Sequence, residues 1–125
     1  MRNLDQLRAA TAIKFRDKEF GGEEGGNILD GFPALVVNNG LMAALAFCLM
    51  KAAKGKEGYK ALGEAVVAHL TDKNLNLGLN LKSQDLEGLL DFLSNADSDV
   101  LRVCTAETLA FLNFLRRFVR AESKD

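Results

Sequence analysis

Residues 98–122 carry the longest unbroken helical pattern in the chain, and a helix of that length has to bury one side against whatever the rest of the sequence supplies. Counted in heptads from Leu101, one seam takes Leu101, Thr108 and Leu115, and a second takes Cys104, Phe111 and Phe118, flanked by Leu112 and Val119. Nothing here alternates, so the period is that of a helix. Leu109 and Phe114 lie off the second seam and widen the apolar surface beyond what a two-stranded coiled coil needs, which predicts neighbours on more than one side. Ser98 is placed to cap the start, Asp97 and Asp99 suit the positive end of the helix dipole, and Arg116, Arg117, Arg120 and Lys124 suit the other end.

The remaining segments read as shorter helices that pack on this one. Residues 3–20 begin with Asn3 as a cap and place Leu4, Leu7, Thr11 and Phe15 on one face and Ala9, Ala12 and Ile13 around the other, a pattern for packing on two sides. Residues 21–26, GGEEGG, set four glycines around two carboxylates and predict a flexible loop. The sole proline, Pro33, fits a first helical turn, so FPALVVNNG, residues 32–40, predicts a short helix stopping at Gly40. Helix resumes at once over 41–53, with Leu41, Leu45, Cys48 and Leu49 on one face. Residues 55–58 separate it from a helix over 59–70, where Leu62, Val66, His69 and Leu70 recur at helical spacing. NLNLGLNL, residues 74–81, alternates as a strand would, yet the chain offers no second strand to pair with it. An extended connector that tucks its leucines onto the bundle is expected there, with strand addition between molecules as the alternative. Ser83 is expected to cap a helix reaching residue 94. The whole reads as an all-α fold, a compact single-domain bundle of about six helices over residues 1–125.

A hydrophobic share of 48% over 125 residues is enough to bury a core without disulfides or metals. Lys and Arg number 16 against 17 Asp and Glu, and a net charge of -1 excludes a protein that coats nucleic acid by overall charge; any contact with a polyanion must be local. Cys48 and Cys104 each sit in an apolar helical pattern and read as small core hydrophobes of a reduced, intracellular protein. No apolar run approaches the roughly 20 residues of a membrane span, and Asp5 interrupts the place where a signal peptide would be apolar. A cytoplasmic protein without membrane contact is expected.

Catalysis needs a nucleophile, a base and a group to orient them. His69 is the only histidine and lies in an apolar pattern, where a packed structural role is expected. The two cysteines lack a CxxC partner or a second histidine, so zinc has no spacing to support it. Glu23 and Glu24 lack a fixed oxygen cage, and the glycines match neither a phosphate-binding loop nor a dinucleotide turn. Neither an enzyme nor a cofactor or metal carrier is expected. What remains is basic side chains: Arg116, Arg117 and Arg120 on the polar side of the last helix, and Arg2, Arg8, Lys14, Arg16 and Lys18 along the first. Such residues are ordinarily solvated helix surface. If the first and last helices lie side by side, they would instead offer phosphates a basic strip with arginine forks suited to them.

Three stretches taken together resemble the small subunit of the type III-B CRISPR RNA-silencing (Cmr) effector complex. Gln6-Leu7-Arg8-Ala9 is similar to that family's opening helix; FPALVVNNGLMAALAF, residues 32–47, resembles its proline-started helix pair with an Asn-Gly-Leu junction; and ETLAFLNFLRRFVRA, residues 107–121, resembles its closing helix. Order, spacing and total length carry the match, and the small subunit of type III-A complexes is the nearest relative with which it could be confused. The resemblance implies a helical protein with no catalytic role of its own, several copies of which stack head to tail as the inner filament of a ribonucleoprotein. Backbone subunits would hold the guide RNA and cleave the target. The implied partners are other Cmr subunits including the backbone subunits, neighbouring copies of the chain, and guide and target RNA through phosphate contacts. The RNA-facing candidates are Arg8, Lys14, Lys51, Arg116, Arg117 and Arg120, of which Lys14 and Lys51 lie outside the family-like stretches and rest on charge. The rival reading is a helical protein–protein adaptor that never touches RNA.

Overall fold

In the computed structural model, which describes residues 2–21 and 28–123 and the side chains of the last helix as far as Val119, six helices form and the described residues contain no strand. They are α1 (Leu4–Phe15), α2 (Ile28–Asn39), α3 (Leu41–Ala53), α4 (Glu57–Leu70), α5 (Leu86–Asn95) and α6 (Ser98–Ser123). Apart from Gly21, the glycine-rich loop expected at 21–26 lies outside the described residues.

Asn3 caps α1 as expected, in a reciprocal pair with Gln6: the Asn3 side chain accepts from the Gln6 amide at 2.9 Å, and the Gln6 side chain accepts from the Asn3 amide at 2.8 Å. The helix stops at Phe15 rather than near residue 20, because Arg16, Asp17, Lys18 and Glu19 offer no apolar face to bury; Phe20 then tucks into the core from non-helical chain. Pro33 stands in the second turn of α2, since the helix begins five residues before it. Leu29, Phe32 and Val36 form one buried face that extends upstream of the proline, and burying it outweighs the one backbone hydrogen bond that proline cannot make. Gly40 alone joins α2 to α3, with the left-handed φ of 91° that such a sharp junction requires.

Two caps differ from the sequence expectation. For α5 the cap is Asp85, whose carboxylate accepts from the Gly88 amide at 2.9 Å; Ser83 supports it by donating its hydroxyl at 2.8 Å, and the amide and hydroxyl together hold that carboxyl below its ordinary range. For α6 it is Asp97, whose side chain accepts from Val100 N at 3.1 Å while its carbonyl accepts from Leu101 N at 3.2 Å; Ser98 is the first helical residue. Aspartate is as good a cap as serine, and where the two stand within two residues of each other the pattern alone does not choose.

The alternating stretch 74–81 is a connector. Leu75 is buried, and Leu77, Leu79 and Leu81 pack partly on the core. Asn76 at φ 58° and Gly78 at φ 72° turn left-handed inside it, so it presents no straight edge to a partner strand.

Helix α6 borders α1, α2 and α4, and α3 packs along α4. The directions follow from three contacts. Gly58, in the first turn of α4, sits so close to the Gly21 carbonyl that a Cβ there would lie 2.9 Å from it, and the Ile28 side chain is beside it; His69, at the far end of α4, meets Glu107. Nine residues further along α6, Arg116 stands near Asp30 at the start of α2. Both α1 and α6 therefore run antiparallel to α4 and parallel to each other. One end of the bundle gathers the close of α1, the start of α2, the α3–α4 corner and the last turns of α6.

Candidate nucleic-acid interface

The first and last helices do lie side by side, and the residue that joins them is Arg8. Its Nε donates to Glu107 Oε2 at 2.7 Å and one terminal nitrogen to Oε1 at 2.8 Å, a two-pronged match of guanidinium to carboxylate; the other terminal nitrogen donates to Asp5 at 2.9 Å. His69 adds a third helix, with Nε2 at 2.8 Å from Glu107 Oε2. An ionised carboxylate only accepts, so the proton sits on Nε2 and His69 Nδ1 is a bare acceptor, buried with no partner among the described residues. Burial pushes the His69 pKa below its ordinary 6.5 even though Glu107 pulls the other way. Burial would raise the Glu107 carboxyl, but hydrogen bonds from Arg8 and His69 outweigh it and hold the pKa low. Its own bond to Glu107, helped by Asp5, outweighs burial and raises that of Arg8. Arg8 thus has a use inside the protein that competes with any phosphate.

Arg116 is reached from the other flank. Nine residues is about two and a half helical turns, so Arg116 projects opposite to Glu107, toward α2, where its Nε stands 3.9 Å from Asp30. Arg8 and Arg116 consequently do not form one strip. Arg117 and Lys14 are exposed; Lys51 is half-buried, with its ammonium 5.4 Å from the centre of the Phe47 ring; the Arg120 side chain lies outside the described residues.

The structure brings together a different set. At the end of the bundle where α1 and α3 finish, Lys14, Arg16 and Lys18 come from α1 and the turn after it, Lys51, Lys54, Lys56 and Lys60 from the α3–α4 corner, and Arg116 and Arg117 from α6. Against Asp17, Glu19, Asp30 and Glu57 this leaves an excess of five positive charges among the described residues, on a chain whose net charge is -1. The corner lysines were legible as a sequence cluster, four in ten residues, but only the fold sets them at the same end as Arg117.

The family described as CRISPR-associated protein (Cas_Cmr5) matches residues 6–122. A crystal structure of a CRISPR-associated Cmr5 family protein from Thermus thermophilus is similar over 97% of both chains, with 30% sequence identity and a TM-score of 0.70. The chain belongs to the Cmr5 family. Among curated proteins none matches it. Cmr5 proteins are the small subunit of the type III-B Cmr complex, so other Cmr subunits are its partners. No helix among the described residues is long and apolar enough to cross a membrane.

The buried tie is expected to make the protein's stability fall in mild acid. A neutral buried His69 takes up a proton when the chain unfolds below its ordinary pKa of 6.5, so stability present above that pH falls as pH drops toward the lowered folded value. Within this window the slope approaches about 1.4 kcal/mol per pH unit. Urea midpoints measured from pH 7.5 down to 5 are expected to fall in the parent and to stay nearly flat in His69→Phe until the carboxylates begin to titrate; equal slopes in the two proteins would refute a neutral His69.

Proposed function

We propose that this chain is a non-catalytic subunit of a type III-B Cmr ribonucleoprotein, a single helical domain that stacks in several copies along the backbone subunits and supports guide and target RNA through phosphate contacts in cytoplasmic antiviral defence. The family match over residues 6–122 carries the reading. The basic end of the bundle supports the RNA contacts, since base pairing reads the sequence and the protein needs only charge and shape. The commitment of the one histidine to a core contact supports the non-catalytic role. Arg117, Lys14 and Lys51 remain the phosphate-facing candidates with Arg116 and Arg120, whereas Arg8 is better explained by Glu107.

The test is a tagged pull-down from the native host with mass spectrometry and RNA sequencing. Recovery of Cmr subunits with repeat-derived guide RNA supports the reading, and recovery of another protein without such RNA replaces it with an adaptor. At residue level, Arg117→Glu is expected to weaken RNA binding by the assembled complex and to make the log–log salt slope shallower by about 0.7, the share of one single-strand phosphate. Arg116→Glu would also face Asp30, which makes Arg117 the cleaner probe. An unchanged slope with normal assembly would remove Arg117 from the interface.

A further inference from the structure

The α3–α4 corner holds more than charge. Phe47 of α3 and Tyr59 of α4 meet edge to face with ring centres 5.7 Å apart and planes at 84°, and both rings are only half-buried, unlike the fully buried Phe111. Cys48 Sγ donates to the Tyr59 carbonyl at 3.1 Å, which pins the start of α4 to α3 and fixes the pair. The Lys51 ammonium lies over the Phe47 ring at 5.4 Å, so that face is open enough to take a cation. Flanking the pair along the chain are Lys54, which closes α3, and Lys60, which follows Tyr59, both exposed and, among the described residues, without a carboxylate partner. Only Glu57 opposes four lysines across residues 51–60.

We infer that this corner binds unpaired RNA, with phosphates on Lys54 and Lys60 and a nucleobase stacked against the Phe47–Tyr59 pair. Lysines alone would suit an acidic peptide as well; half-open aromatic rings among them favour bases, because every unpaired base offers a π-face whereas a duplex keeps its faces covered. The inference rests on the RNA reading above and adds to it a single-stranded ligand and a stacking site. Lys51, over the Phe47 ring, is the group that a base displaces or joins.

The chain contains one tyrosine and no tryptophan, so its intrinsic emission reports Tyr59 alone. The full chain would be titrated at low salt with a labelled oligoadenylate of about 12 nucleotides, within the ~4–16 that a single binding surface spans, following Tyr59 emission together with anisotropy of the label. Saturable quenching at the anisotropy midpoint is expected, with no quenching by a duplex of the same length. Lys54→Glu with Lys60→Glu should weaken binding about tenfold and reduce the salt slope by about 1.4, while charge reversal at the exposed Lys73, just past the other end of α4, leaves both quenching and midpoint intact. Binding seen by anisotropy with Tyr59 emission unchanged, or wild-type affinity in the lysine double variant, overturns the corner site and leaves the RNA reading standing. An absence of any anisotropy change also overturns the corner site, while the RNA reading is decided separately by the pull-down and by the Arg117→Glu salt slope of the assembled complex.

Discussion

Glu107→Ala is expected to cost about 3 kcal/mol of stability, read as a lower urea midpoint at unchanged m-value. The substitution removes the acceptor for both prongs of Arg8 and for His69. Breaking a buried ion pair ordinarily costs about 3–5 kcal/mol, and the Arg8 side chain, 17% exposed, recovers some hydration, which sets the lower end of that range. His69 has no such outlet. At 0% exposure its Nε2–H would join its Nδ1 as a buried group without a partner. Because Arg8 is on α1, amide exchange should rise in that helix before the rest of the bundle. Converting all three residues to apolar ones of similar size, Arg8→Met, Glu107→Leu and His69→Phe together, is expected to restore most of the loss, since an apolar cluster has no stranded charge. A cost for Glu107→Ala below about 1 kcal/mol would show that the tie is no stronger than a surface pair.

The same residues show how far the sequence can be read. The seams on α6 were legible because burial repeats at helical spacing, and Cys104, Thr108, Phe111, Leu112, Leu115 and Val119 are buried where the pattern put them. Glu107 was not legible as a buried acid. It stands at the margin of that apolar face, and its partners come from 99 residues upstream and 38 residues upstream, separations that no local pattern encodes. Arg8 carried a faint signal, having Leu4 and Ala12 four residues to either side, but charge made it read as surface. The end of α2 was found and its start was not, since proline argues locally for a first turn while the buried Leu29–Phe32–Val36 face argues over a longer span and wins. For the interface, sequence supplied the residue types; only the antiparallel run of α4 against α1 and α6 shows which of them share an end.

Phe111→Ala should be the most damaging single truncation, at about 3–5 kcal/mol. The ring is fully buried at the middle of α6, and it stacks on the His69 imidazole with centres 4.5 Å apart and planes at 12°. Removing it leaves a cavity beside a histidine that already lacks one partner, and the neighbours on α6, Thr108, Leu112 and Leu115, sit on a rigid helix that cannot collapse into the gap. Against a total stability of roughly 5–15 kcal/mol, the variant is left marginal. Paired with His69→Ala, the two losses should add to less than their sum by about 0.5–1.5 kcal/mol, the share of the stacked rings themselves. The contrast with Arg117→Glu on the same helix separates the two jobs of α6. Phe111→Ala is expected to lower the urea midpoint and to leave the salt slope of RNA binding unchanged in the molecules that remain folded. Arg117→Glu should do the reverse, because its exposed guanidinium contributes nothing to the core. If both variants moved both quantities together, α6 would not carry its basic end on an independently packed core, and RNA contact and folding would have to be treated as one coupled process.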